Sequence, residues 1–190
     1  GVIRAVRLHD GALVWHHLLG PELEGNRAPA VGRLGPNEPL TVVAGVGRNP
    51  APPMPWAPWL LKAFFTLVVA PLGQGKGAVV ALDAETGKLR WQFNPPRWLG
   101  LACAGDSERL VARLDAAQNK NPLVEAMCLP DSWASPSISG DGTVFAGSGL
   151  EGKIYAVRDA NGDGVIDSEK EVSVFDTGDA FLGGFGIAPG

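Results

Sequence analysis

The chain has little of what would announce a chemistry. Among 190 residues there are 2 cysteines, 2 methionines and 1 tyrosine, so a cysteine-dense disulfide scaffold and a multi-cysteine metal cluster are both excluded. Cys103 and Cys128 permit one disulfide or two buried thiols, and the sequence leaves both open. There is no basic stripe: 16 Lys and Arg stand against 20 Asp and Glu, mixed along the chain, for a net charge of −4. Nothing neutralises a row of phosphates, so nucleic acid is not expected as a partner. Long apolar runs are missing too. Residues 52–65, from Pro52 to Phe65, form the largest apolar anomaly, but they fall short of the ~20 residues of a spanning helix and are broken by prolines and Lys62.

Turn formers are abundant instead. Gly 26 and Pro 16 together make about 22% of the chain, above an ordinary ~12%. That composition suits many short strands joined by tight turns.

The strands repeat. Ala5, Gly11 and Trp15 have the same spacing as Ala81, Gly87 and Trp91, and a third copy opens at Gly152-Lys-Ile-Tyr-Ala156. The offsets are 76 and 75 residues. Trp56-Ala57-Pro58 leading to Thr66–Ala70 is echoed by Trp133-Ala134-Ser-Pro136 leading to Thr143–Gly147. Within 133–178 four strands are expected, near Trp133–Ser139, Thr143–Ser148, Lys153–Val157 and Glu171–Asp176, with Gly140-Asp141-Gly142 as a hairpin turn. Four short antiparallel strands per unit of about 40 residues is the pattern of a propeller blade. The fold expected is all-β, a partial set of four-stranded blades forming one β-propeller domain over 1–190. Its expected divisions are 1–19 (end of a blade), 20–55 (degraded blade), 56–95 (full blade), 96–132 (degraded blade), 133–178 (full blade) and 179–190 (start of another).

One loop breaks the repeat. In Asp159-Ala-Asn161-Gly-Asp163-Gly164-Val165-Ile-Asp167, side-chain oxygens fall at positions one, three, five and nine. Glycine sits at position six for a sharp turn, and Val165 at seven offers a backbone carbonyl. Three carboxylates within nine residues repel one another without a cation. Calcium is the expected ion, held by Asp159, Asn161, Asp163, Val165 and Asp167 on a hairpin between strands. His9, His16 and His17 read as surface residues, since adjacent strand residues face opposite sides. Asp83, Glu85, Asp131 and Asp141 are acid–base candidates by type alone and sit at turn positions, where Asp is favoured for local hydrogen bonding.

The pattern Ala81-x-Asp83-x-x-Thr86-Gly87-Lys88-x-x-Trp91 resembles the tryptophan-docking motif of pyrroloquinoline-quinone-type β-propeller repeats. That resemblance implies that Trp91 and Trp15 pack against a neighbouring blade and that their indole N–H bonds a carbonyl across the seam. The adjacent-cysteine pair and the quinone- and metal-contacting residues of the quinone enzymes of that family find no match here, so no catalytic or quinone-binding residue is assigned. The 159–167 loop is similar to the calcium loops on integrin-type blades, and it resembles the first nine residues of an EF-hand loop. Position twelve is Lys170 rather than the bidentate Glu of an EF-hand, which leaves Glu169 or Glu171 as a candidate further ligand.

The functional expectation is a non-enzymatic, calcium-stabilised scaffold for protein–protein interaction. Its partner would be the rest of a propeller or a larger assembly, such as a photosynthetic membrane complex, contacted through Trp56, Trp59, Phe64 and Phe65. An enzyme acting on a quinone- or sugar-related substrate in the propeller funnel is one alternative, and a calcium-dependent sensor ectodomain is another. An extracytoplasmic or organelle-lumenal compartment is favoured.

Overall fold

The computed structural model describes residues 1–20, 23–25, 27–47, 77–98, 103–106, 108, 132–180 and 183–188. Their regular structure is ten β-strands. These are β1 (Val2–Val6), β2 (Leu13–Leu18), β3 (Ala30–Arg33), β4 (Leu40–Gly47), β5 (Gly77–Asp83), β6 (Leu89–Phe93), β7 (Ser137–Ile138), β8 (Val144–Ser148), β9 (Lys153–Val157) and β10 (Val172–Asp176). No helix among the described residues is long and apolar enough to cross a membrane.

Every strand pairs antiparallel with its sequence neighbour inside its sheet. The result is a hairpin β1-β2 and two four-stranded meanders, β3-β4-β5-β6 and β7-β8-β9-β10. Sequential four-stranded meanders packed side by side are the blades of a β-propeller. The third sheet follows expectation closely, with β9 at Lys153–Val157 and β10 within one residue of its predicted start.

The second sheet differs from the expected division. Strands β3 and β4 lie in 20–55 and β5 and β6 lie in 56–95, yet β4 and β5 are the sheet's central pair, with Thr41 opposite Asp83 and Gly47 opposite Gly77. The boundary drawn at 55/56 therefore runs through one blade. The reason is register: Leu40–Gly47 offers a strand long enough to pair β5 along its whole length, and backbone groups that would otherwise be buried unpaired are satisfied by it. The period of 76 residues accordingly carries β1 onto β5 and then β9, which ends one blade's inner hairpin and reaches the next. The expected strand at 66–70 and the interval 109–131 lie outside the described residues, as do Cys128, Asp131 and the aromatic group Trp56, Trp59, Phe64 and Phe65.

The middle sheet is buried on both faces. Val43, Val79, Ala81, Trp91 and Phe93 join Trp133, Val144, Ala146, Tyr155 and Val157 of the third sheet in one core. Ala44, Val46, Ala78 and Val80 point the other way, against Ile3, Leu19 and Leu23. Alternation of side chains along a strand sends odd and even residues to these two faces, which is why Val79-Val80-Ala81-Leu82 is apolar without a break. The Trp133 ring lies directly over the middle sheet. An added Cβ at Gly45 would come within 2.6 Å of the Trp133 side chain, and one at Gly77 would overlap its indole. Tyr155 completes the layer, with its ring centroid 5.3 Å from Phe93 and 6.0 Å from Trp133, distances at which aromatic pairs attract.

Candidate functional site

The first seam joins β1-β2 to the turn that follows β5. Asp83 builds that turn by accepting hydrogen bonds from the amides of Glu85 (3.1 Å) and Thr86 (2.8 Å) and from the Thr86 hydroxyl (2.7 Å). Thr86 above all holds the Asp83 carboxyl below its usual range. Gly87 has φ +70°, a conformation that favours glycine. The Trp15 ring covers Gly87 so closely that an added Cβ would sit 2.6 Å from it. The Trp15 Nε1–H donates to the Ala84 carbonyl at 2.9 Å. His17 Nδ1 lies 3.1 Å from the Gly87 carbonyl, so one of the two adjacent histidines is a seam residue rather than a plain surface one. The tryptophan docking implied by the repeat is realised here.

The second seam has the oxygen-rich loop in the same place. Repeat positions occupied by Ala84 and Gly87 correspond to Asp159 and Gly162. Asp159 accepts from the amides of Gly162 (2.8 Å) and Gly164 (3.0 Å). Asn161 Oδ1 accepts from the Asp163 amide at 2.9 Å, and its Nδ2 donates to Asp163 Oδ2 at 2.9 Å. Asp163 Oδ1 in turn accepts from the Val165 amide at 2.7 Å. Asp167 accepts from the Glu169 amide at 2.9 Å and meets Lys170 Nζ at 3.1 Å. That amide first, and then Lys170, keep the Asp167 carboxyl below its ordinary value. The loop thus gathers Asp159, Asn161 and Asp163 on one tight coil, with Asp167 on the following turn. The Val165 side chain is exposed.

All these donors are oxygens of the hard type that calcium prefers. Among the described residues no group of three or more His, Cys, Asp or Glu side chains converges as a ready metal cage. The loop fits the ion by donor chemistry, and its carboxylates are drawn onto the loop's own amides.

Glu171, a candidate further ligand of the ion in the sequence, instead organises the loop backbone. Glu171 is buried (8% exposed) and accepts from the amides of Ala160 (2.8 Å), Asn161 (3.4 Å) and Asp167 (2.9 Å). It pins both ends of the loop from four residues beyond Asp167.

The indole of Trp91 is where the two seams part. Trp91 is 2% exposed, yet its Nε1 has no hydrogen-bond partner among the described residues. Gly162 has φ +72°, close to that of Gly87, but a Cβ added there would meet nothing described within 4 Å. Trp91 and Gly162 both border a cavity of about 270 Å³, with Arg90, Arg158, Glu38, Asp159 and Asp163 also on its walls. Arg90 is bound to Glu38 and donates to Thr41 Oγ1 at 2.6 Å. Arg158 lies 3.5 Å from Asp141. Asp141 accepts from Ser139, from the Thr143 amide (3.1 Å) and from the Thr143 hydroxyl (3.0 Å). The Ser139 hydroxyl first, then Thr143 and finally Arg158 pull its carboxyl down to about 2.

Fold and seams define an all-β protein of propeller class, built of four-stranded blades docked through tryptophan. No protein-family profile and no curated protein matches the chain. A solved structure of a quinohemoprotein alcohol dehydrogenase from Pseudomonas putida is similar to 95% of the chain, at 20% identity and a TM-score of 0.47. The match covers 25% of that protein, so the chain spans about a quarter of its length.

Proposed function

We propose that the protein is a non-enzymatic β-propeller scaffold for protein–protein interaction, in which calcium bound by Asp159, Asn161, Asp163, Val165 and Asp167 is a structural ion. The observation that carries this reading is positional. The all-oxygen loop stands where the first seam has its docking turn, at a seam whose tryptophan lacks a carbonyl partner among the described residues. An ion that neutralises three carboxylates there stiffens a blade edge that direct docking leaves loose. The acid–base candidates Asp83 and Asp141 are each committed to holding their own turn, which supports a scaffold over a catalyst. The partner surface put forward is the aromatic group at Trp56, Trp59, Phe64 and Phe65.

The test compares thermal unfolding in calcium and in chelator for the native protein and for Asp163→Ala. An ion at a hundred times its dissociation constant adds about 2.7 kcal/mol, or roughly 5–10 °C for a chain of this size. The native protein gains that increment and Asp163→Ala loses most of it. Equal melting points for the native protein in calcium and chelator would sink the proposal. Purification without dissociating its neighbours then identifies the partner.

A further inference from the structure

We infer that the outward face of the third sheet, around Phe145, Ile154, Ala156 and Phe175, is a docking surface for the first hairpin of a second copy of this chain. The repeat assigns the face. A shift of 75 residues carries Val79 and Ala81 onto Ile154 and Ala156. Strand pairing extends the match across the sheet. Val43 and Phe145 lie opposite Ala81 and Ala156, and Phe93 and Phe175 lie opposite Val79 and Ile154. In the middle sheet Val43, Val79, Ala81 and Phe93 are at most 3% exposed, because the third sheet covers them. In the third sheet Phe175 is 66% exposed, and Phe145, Ile154 and Ala156 are only partly buried.

Both seams obey one rule. The side of β1 that carries Ile3 meets the next sheet along the chain, and so does the side of β5 that carries Val79 and Ala81. The equivalent side of β9 faces solvent, so its complement is the opposite side of another sheet of the same repeat. The chain itself carries one such side uncovered. Val2, Arg4 and Val6 stand 76 residues before Ala78, Val80 and Leu82, which are at most 1% exposed. Val6 is 59% exposed, and Leu13 and Leu18, its neighbours across the hairpin, are exposed as well.

The outline fits too. Ser137 of β7 donates to the Phe185 carbonyl at 2.8 Å, so residues 183–188 already stand beside that end of the third sheet. The open part lies toward β9 and β10. The first hairpin consists of β1 and β2 alone, the strands equivalent to β9 and β10, and so has the extent that this opening needs. Two different faces meet in such a contact, which makes it heterologous, repeating head to tail until a ring closes. Its driving force is the apolar area that a single copy leaves wet. The inference goes beyond the scaffold reading and does not need the ion.

The test is analytical ultracentrifugation of the chain at micromolar concentrations and above, with Phe175→Asp and Val6→Asp each altering one face. Both positions are exposed, and an unchanged melting point in dilute solution checks that each variant folds. Should either unfold, Ser173→Lys and Leu18→Lys probe the same two faces. The native chain is expected to self-associate with rising concentration. Each variant alone weakens that association roughly a hundredfold or more, since it buries an unpaired charge. An equal mixture of the two variants forms a dimer again, because each still offers the face that the other has lost. A native chain that stays monomeric throughout overturns the proposal, and the face then belongs to a different occupant. Association that both variants retain in full, or a mixture that stays monomeric while the native chain associates, overturns the head-to-tail pairing.

Discussion

Trp15 and Trp91 hold the same place in successive repeats, yet they finish in different surroundings. Trp15 lies flat on Gly87 and bonds Ala84. Trp91 is buried just as thoroughly, but its N–H has no described partner and Gly162 stands clear of it. The cause is loop length. Four residues separate Asp83 from Lys88, so that turn is tight enough to present Ala84 and Gly87 to the indole. The 159–171 segment coils around its own carboxylates and ties down to Glu171, so it meets the middle sheet through Gly164, at the Arg90 carbonyl, and through Ile166, with Gly162 standing clear. The second seam is held instead by apolar area, through Trp133 over Gly45 and Gly77 and through Tyr155. Two neighbouring interfaces of one molecule are thus joined by different physics.

The sharpest way to break that comparison is Trp133→Ala. Removing a buried tryptophan from the second seam is expected to cost about 3–5 kcal/mol in chemical denaturation. A loss under about 1 kcal/mol would mean that the seam rests on something else. Next come the two turn glycines. Gly87→Ala puts a methyl into the Trp15 ring and strains a positive φ, for an expected loss of about 2–4 kcal/mol. Gly162→Ala carries the conformational strain alone, about 1–2 kcal/mol. Equal losses at the two sites would erase the contrast in packing.

Smaller again is the pair Trp15→Phe and Trp91→Phe. The first removes a made hydrogen bond and should cost about 0.5–1.5 kcal/mol more than the second, which removes an unanswered donor. The smallest effect is at the rim of the second seam. The Asp141 carboxyl titrates at about 2 in the folded protein, below its ordinary value of 3.8. Its contribution is therefore full above roughly pH 4 and disappears as the pH falls toward 2. Native protein should be more stable than Asp141→Asn at pH 6, and the gap should close by pH 2. A gap that persists unchanged in acid would show that the Ser139, Thr143 and Arg158 contacts do not hold the ionised form.

Much of the third blade was legible in the sequence, because its strands are bounded by strong turn chemistry. Gly140-Asp141-Gly142 closes one hairpin, and Gly142 could hardly be another residue, since its φ is +88° and a Cβ would overlap the Leu34 carbonyl. The docking role of Trp15 was legible as well, through the repeat. The joining of β4 to β5 was not. Both strands are apolar enough to pair with several others, and residues 48–76 separate them along the chain, so only the assembled sheet selects the register. The roles of Glu171 and of the Trp91 N–H were equally hidden. Each depends on how far a thirteen-residue coil reaches, a distance that no local propensity encodes.

The two-faced burial of the middle sheet has a consequence for how this chain acquires its structure. Residues 40–47 and 77–83 present apolar side chains in both directions, so an isolated β3–β6 sheet would be an adhesive slab with no wettable side. Neighbouring blades must therefore arrive together with it, and stability accrues through nearest-neighbour interfaces rather than inside each sheet. Cutting the chain between sheets would yield aggregation-prone pieces, not smaller working modules.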